Sequence, residues 1–212
     1  MDPLSGTRER SYKRVIDYGV AQIPLAGQTV NGDCYLVSPF PGGIFVAVVD
    51  GLGHGKEAAE AGEVAVATMQ EHLPEPLIPL LKRCDEALRR TRGAAISLAS
   101  FSAAHHSMTW LGVGNVEGVV LRADRNAVPA QEQIMLFPGT VGHQLPPLRA
   151  VVTALNTGDL VIFFTDGIRR DFLVEPLPTC SPQLIANRIC DEHRKGTDDA
   201  LVLVVRYTGV AR

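Results

Sequence analysis

The chain predicts an α+β fold of two largely antiparallel sheets packed face to face, with helices outside them. Strand-like segments come in runs, without the one-for-one alternation with helices that a parallel α/β sheet needs. Helical periodicity is confined to a central pair of segments and one more near the end. The 212 residues, 46% of them hydrophobic, supply enough apolar side chain for one sizeable core. Residues 1–212 therefore read as a single domain, with the polar start MDPLSGTRER (1–10) as a flexible terminus.

Residues 15–23 read as the first strand, and NGDCYLVSPF as a turn followed by a second. Residues 44–49 are a short valine-rich run, the mark of a strand buried on both faces. Residues 56–73 contain no proline and repeat small or apolar groups at Ala58, Ala61, Ala65 and Met69, which predicts a helix. Leu77, Ile78, Leu81, Cys84 and Leu88 follow helical spacing, with Lys82, Arg83, Asp85, Glu86 and Arg89 as the wet face. Strand signals follow at 94–102, 108–113, 118–123, 133–137, 150–155 and 160–165, with His105 and His106 in a polar hairpin turn. Ser181–Pro182 opens a helix that runs to about His193, and 200–207 is a closing strand. The proline clusters at 74–79, 138–147 and 176–182 are loops inside the domain.

Composition removes several function classes. A net charge of −3 offers no basic footprint for nucleic acid. Apolar runs such as 46–49 and 160–164 fall far short of a membrane span, and no apolar segment follows the polar start as a secretory signal would require. Cys34, Cys84, Cys180 and Cys190 show no C-x-x-C pairing, so they read as reduced thiols in a cytoplasmic protein.

The aspartates sit at strand boundaries. Asp50 ends IFVAVV and Asp166 ends LVIFFT, while Asp33 begins CYLV and Asp198–Asp199 begin ALVLVV. In antiparallel sheet the finish of one strand lies beside the start of its neighbour, so these acids can gather on one rim. Clustered, half-desolvated carboxylates repel by several kcal/mol at an effective dielectric of roughly 20, so they stay ionised together only beside cations. Hard oxygen ligands select Mg²⁺ or Mn²⁺. Gly51 leaves its own carbonyl open to such an ion, and Gly53 and Gly55 let the backbone turn towards a helix. Any one strand-end aspartate has a plain alternative as a turn former or cap. The repetition of Asp-Gly at Asp50–Gly51 and Asp166–Gly167 favours a site.

Other motifs fail on position. GLGHGKE lacks the first glycine and the Ser/Thr of a phosphate loop, and GVGNVEG has the wrong spacing for a dinucleotide turn. A histidine-kinase-like ATPase box would need glycine where Leu52 stands; that ATPase is the weaker enzymatic alternative.

NGD (31–33), VVDGLGHG (48–55), GDLVIFFTDGI (158–168) and GTDDALVLVV (196–205) together resemble the four motifs of the PPM/PP2C metal-dependent protein phosphatases. The bacterial branch that includes sporulation stage II E is the closer match, and within it the stand-alone, RsbX-type phosphatases of the stressosome. The resemblance implies an αββα sandwich with two Mn²⁺ or Mg²⁺ ions. Asp50 would bridge both ions, with Asp33 and the Gly51 carbonyl on one, and Asp166 and Asp198 on the other. Asp199 is then structural or, alternatively, the ligand in place of Asp198. Two departures stand out: Leu201 replaces the threonine of Asp-Asp-x-Thr, and GVGN (112–115) replaces Asn-Ala-Gly-His.

The expected chemistry is in-line hydrolysis of phosphoserine or phosphothreonine on a stressosome-type protein partner by a metal-activated water. His54 reads as a packing residue of the glycine turn, or else as proton donor to the leaving oxygen. Arg169 and Arg170 read as solvated loop arginines, with contact to phosphate or a partner as the alternative, and 172–180 as a partner-contacting flap. The rival from another class is a non-catalytic binding module on the same fold.

Overall fold

The computed structural model describes residues 15–124, 126–174 and 179–209; the flexible start expected at 1–10 lies outside them. In chain order the strands are β1 (Ile16–Ile23), β2 (Asp33–Phe40), β3 (Gly43–Gly51), β4 (Ala94–Ser102), β5 (Ser107–Val113), β6 (Glu117–Leu121), β7 (Gln131–Gln133), β8 (Val151–Ala154), β9 (Leu160–Phe164) and β10 (Ala200–Tyr207). The helices are α1 (Lys56–His72), α2 (Leu77–Leu88) and α3 (Pro182–His193), with a 3₁₀ turn at Arg170–Leu173.

The strands form two five-stranded sheets, β1-β10-β9-β6-β7 and β2-β3-β4-β5-β8, antiparallel at every ladder. Their inner faces share one apolar layer in which Val46, Val48, Phe101, Trp110, Phe163 and Leu203 meet. Trp110 stacks on Phe163 at 4.9 Å, and Gly118 makes room, since a Cβ there would lie 2.3 Å from the indole. The outer face of the second sheet is covered by α1 and α2, that of the first by α3. This is the expected αββα arrangement.

Strand β3 shows why its sequence is an unbroken apolar run. Val46 and Val48 point into the inter-sheet layer, while Phe45, Ala47 and Val49 point under the helices. With both faces covered, alternation of polar and apolar residues disappears.

One predicted strand differs. The β7 ladder covers only Gln131–Gln133, against Val119–Leu121 of β6, and 134–137 leaves it. Ile134 and Leu136 turn into the inter-sheet layer, and Phe137 forms a parallel bridge to Val113 of the other sheet. The apolar pattern there reports a crossing between sheets. The expected flap begins inside the core: Phe172 is buried, packed edge-on against Phe164, while 175–178 lie outside the described residues. Among the described residues no helix is long and apolar enough to cross a membrane.

Candidate functional site

The acids marked by the sequence come together where the two sheets end on the same side. Asp33 and Asp50 are register partners across β2 and β3. In the other sheet, Asp166 follows β9 and Asp198–Asp199 precede β10; the β9–β10 ladder reaches Phe164↔Val202, and Thr165 N–H adds a bond to the Leu201 carbonyl. Thr165 then stitches the sheets together. Its hydroxyl donates to Asp33 Oδ2 at 2.7 Å and accepts from Leu201 N–H at 2.9 Å.

The two turns that carry the acids are fixed by glycines. Gly53 and Gly55 have φ of 91° and 75°, the left-handed conformations that bend β3 into α1. At Gly51 the constraint is space, since a Cβ would stand 2.0 Å from the Ala58 carbonyl oxygen. The sequence argument about an open carbonyl missed this packing role. Gly167 is held likewise, with a Cβ there meeting the Asp199 carbonyl oxygen at 1.9 Å.

Charge crowding sets the electrostatics. Burial, then the repulsion of Asp50, pushes the Asp33 carboxyl up to about 8, against the Thr165 hydrogen bond that lowers it; Asp199 and Asp166 add to the rise. Burial pushes Asp50 up to about 7, with Asp166, Asp198 and Asp199 adding repulsion. Asp198 is also raised by burial, with the Asp199 amide and His54 working the other way. Five carboxylates thus act on one another, and among the described residues no arginine or lysine forms an ion pair with any of them.

Three of them, Asp50, Asp166 and Asp198, line a cleft of about 480 Å³ together with Gly53, Asn115 and Thr140, while Asp33 and Asp199 are buried outside its lining. Among the described residues no three acidic, histidine or cysteine side chains close tightly enough on one point to cage an ion unaided. Mg²⁺, which keeps several of its waters, needs no such cage, and Mn²⁺ shares its preference for oxygen ligands. An all-oxygen donor set with raised carboxyls fits such ions.

Neighbouring Asp198 and Asp199 differ in their surroundings. Asp199, 3% exposed, accepts from Leu25 N–H at 2.7 Å and Gly32 N–H at 2.8 Å, one on each oxygen. Asp198 is half-buried, faces the cleft, and accepts from the Asp199 amide. Asn115, noted in the sequence only as a departure from a histidine, donates to Asp166 Oδ2 at 2.7 Å. At Leu201, which stands where the resemblance expects threonine, Thr165 bonds both the main-chain N–H and the carbonyl. Thr165 lay within a quoted motif without a role; only the fold reveals one. His54 is exposed, near enough to Asp198 to lower its carboxyl. Arg169 is tied to Asp171 and to the Glu192 and Arg194 carbonyls, as befits a structural loop arginine.

Comparison with known proteins identifies the family. Residues 41–208 match the family described as stage II sporulation protein E (SpoIIE). The phosphoserine phosphatase RsbX of Bacillus subtilis (strain 168) is 27% identical over 151 residues, covering 70% of this chain and 73% of that one. A chain from the structural study of the bacterial stressosome as a modular system adapted to control secondary messenger signaling superposes with a TM-score of 0.81 at 28% identity, covering 90% of this chain and 99% of that one. RsbX crystallised in complex with magnesium gives 0.79 at 21% identity, over 92% of this chain and 96% of that one, a likeness of fold. The chain belongs to the stage II sporulation protein E family of PP2C-type protein serine/threonine phosphatases.

Proposed function

We propose that this chain, as one domain, is a metal-dependent phosphoprotein phosphatase that removes phosphate from serine or threonine of a stressosome-type partner in a bacterial stress pathway. The observation that carries the reading is the gathering of Asp33, Asp50, Asp166, Asp198 and Asp199, from both sheets, into one under-neutralised cluster. The register pairing of Asp50 with Asp33 and its repulsion by Asp166 and Asp198 support the reading that it would serve both of two Mn²⁺ or Mg²⁺ ions. Asp33 and the Gly51 carbonyl would hold one ion, and Asp166 and Asp198 the other, with Asp199 already engaged by backbone. When bound, the ions would lower the pKa of an attacking water and neutralise charge on the transferring phosphoryl group.

The chain's own residues prepare that chemistry. Thr165 fixes the rotamer of Asp33, and Asn115 that of Asp166. The exposure of His54 and its action on the Asp198 carboxyl support the reading in which it would donate a proton to the leaving oxygen. Asp166 and His54 stand on an open rim, which suits a phosphorylated protein surface better than an enclosed metabolite. The named activity of RsbX, its crystallisation with magnesium and the stressosome likeness support the substrate class and the ions.

The test is hydrolysis of an aryl phosphate and a phosphoserine peptide with Mn²⁺, which chelator should abolish. Asp50→Asn should lower metal affinity and turnover at least about 100-fold with the fold intact by circular dichroism. Wild-type turnover in that variant would overturn the role of Asp50.

A further inference from the structure

A second cleft adjoins the carboxylate site. It encloses about 450 Å³ and shares Asn115 and Asp166 with the first, so the Asn115–Asp166 hydrogen bond is the ridge between them. Glu117 and Gly118 form its floor, residues 133–136 one wall, and Arg170 the other.

The first wall is the segment that leaves the β7 ladder. Ile134 N–H bonds the Gly118 carbonyl and Phe137 N–H bonds the Gly112 carbonyl. Between them, Met135 and Leu136 make no backbone hydrogen bond among the described residues, so extended main chain presents open donors and acceptors. Met135 is 57% exposed, a large apolar side chain on the rim of a polar site. Arg170 stands among the other lining residues. Arg170 pairs with Glu117 at 3.0 Å with its side chain 51% exposed. Lys195, exposed and held by its backbone to the Gly167 carbonyl at 2.8 Å, also acts on the Glu117 carboxyl. Among the described lining residues Arg170 is the one cation, set against Glu117 and Asp166, and Lys195 adds its charge from outside the lining. Arg170 pairs with Glu117 and with none of the five site acids among the described residues, and its half-exposed side chain can exchange that partner.

We propose that this second cleft binds the substrate chain flanking the phosphorylated residue, in extended form, with an apolar side chain against Met135 and an acidic one taken by Arg170 in exchange for Glu117. The inference rests on the phosphoprotein phosphatase reading above. An extended chain advances about 3.3 Å per residue and turns alternate side chains to one face. A phosphoserine in the first cleft therefore sends alternate neighbours across the ridge into the second. The open main chain at Met135 and Leu136 can pair with such a strand. The exchange at Arg170 costs little, because a half-exposed ion pair contributes little where it stands.

The experiment compares p-nitrophenyl phosphate with two phosphoserine peptides that differ only in a flanking glutamate or lysine, all with Mn²⁺, for wild type, Arg170→Glu and Met135→Ser. Wild type should favour the glutamate peptide in kcat/KM by about tenfold, chiefly through KM. Arg170→Glu should abolish or invert that preference, and Met135→Ser should lower both peptides about threefold. Both variants should hydrolyse the aryl phosphate, which fills only the first cleft, at the wild-type rate. No charge preference in wild type, or a preference surviving Arg170→Glu, overturns the second cleft and leaves the phosphatase reading standing. An aryl phosphate rate that falls as far as the peptide rates overturns it also, since Arg170 would then serve the first cleft. Absence of any hydrolysis by wild type would instead sink the phosphatase reading.

Discussion

Asp198 and Asp199 are the same residue twice, yet the fold gives them different work. Both oxygens of Asp199 are taken by backbone amides, part-buried at Leu25 and buried at Gly32, in the connection that delivers Asp33 to the site. Removing that carboxylate strands one buried donor and one that water can partly reach; an unsatisfied buried donor costs roughly 1–3 kcal/mol, so Asp199→Ala should lose about 1–3 kcal/mol of stability. Asp198 faces the cleft and bonds only its neighbour's amide among the described residues. Asp198→Ala should keep its melting temperature near wild type and bind Mn²⁺ at least about tenfold more weakly, since the proposed metal site would lose one of its carboxylates. Thermal unfolding paired with calorimetric titration separates the two, and equal destabilisation of both variants would refute the division. At this scale the sequence shows which acids matter, because each borders a strand. It does not show the division of labour, because the deciding amides are 167 and 174 positions away. The Thr165–Asp33 bond spans 132 positions and was hidden for the same reason.

Among the elements, α1 shows how a helix composition serves a site. Its buried residues are Ala58, Ala59, Ala61, Gly62 and Ala65, all small, followed by Met69 near its end. Such small groups let it lie directly on β2 and β3; a Cβ on Gly62 would meet Cys34 Sγ at 2.6 Å, and one on Gly51 the Ala58 carbonyl. Gly51→Ala should therefore push the helix outward at a cost of about 1–3 kcal/mol, the usual range for overpacking. Because Asp50 is the adjacent residue, turnover should fall more steeply than stability. Denaturant unfolding and aryl phosphate kinetics measure the two, and a variant with wild-type values in both would show that α1 has slack. Helix positions were legible from periodicity, and the alanine richness even carried the reason for close approach. Residues 133–137 misled because an apolar alternation reports burial, and a segment crossing between sheets is buried like a strand. Nor could periodicity show the protection of edge strand β1, where the Gln183 amide accepts from Val20 N–H at 3.1 Å and donates to its carbonyl at 2.6 Å.

For the whole molecule, runs of strands were enough to imply two antiparallel sheets, whereas strand order was not legible, since partners such as β1 and β10 lie at opposite ends of the chain. That closure draws like charges together, and it has a consequence for stability. The folded-state carboxyls of Asp33 and Asp50, at about 8 and about 7, lie above their ordinary value of 3.8. A carboxyl raised in the folded state binds its proton more tightly there than in the unfolded chain. Its contribution is therefore complete below the ordinary value and is lost as pH rises through 7 and 8. Metal-free protein should become less stable between pH 5.5 and pH 8, by an amount on the order of a few kcal/mol. Mg²⁺ reverses the sign of the argument, because cations favour the ionised acids and bind only the folded arrangement. The gap in melting temperature between magnesium-saturated and chelated protein should thus widen steadily over that pH range. A gap that stays constant or narrows would mean that the acids are neutralised by something other than cations, and that the cluster is not the metal centre assigned to it.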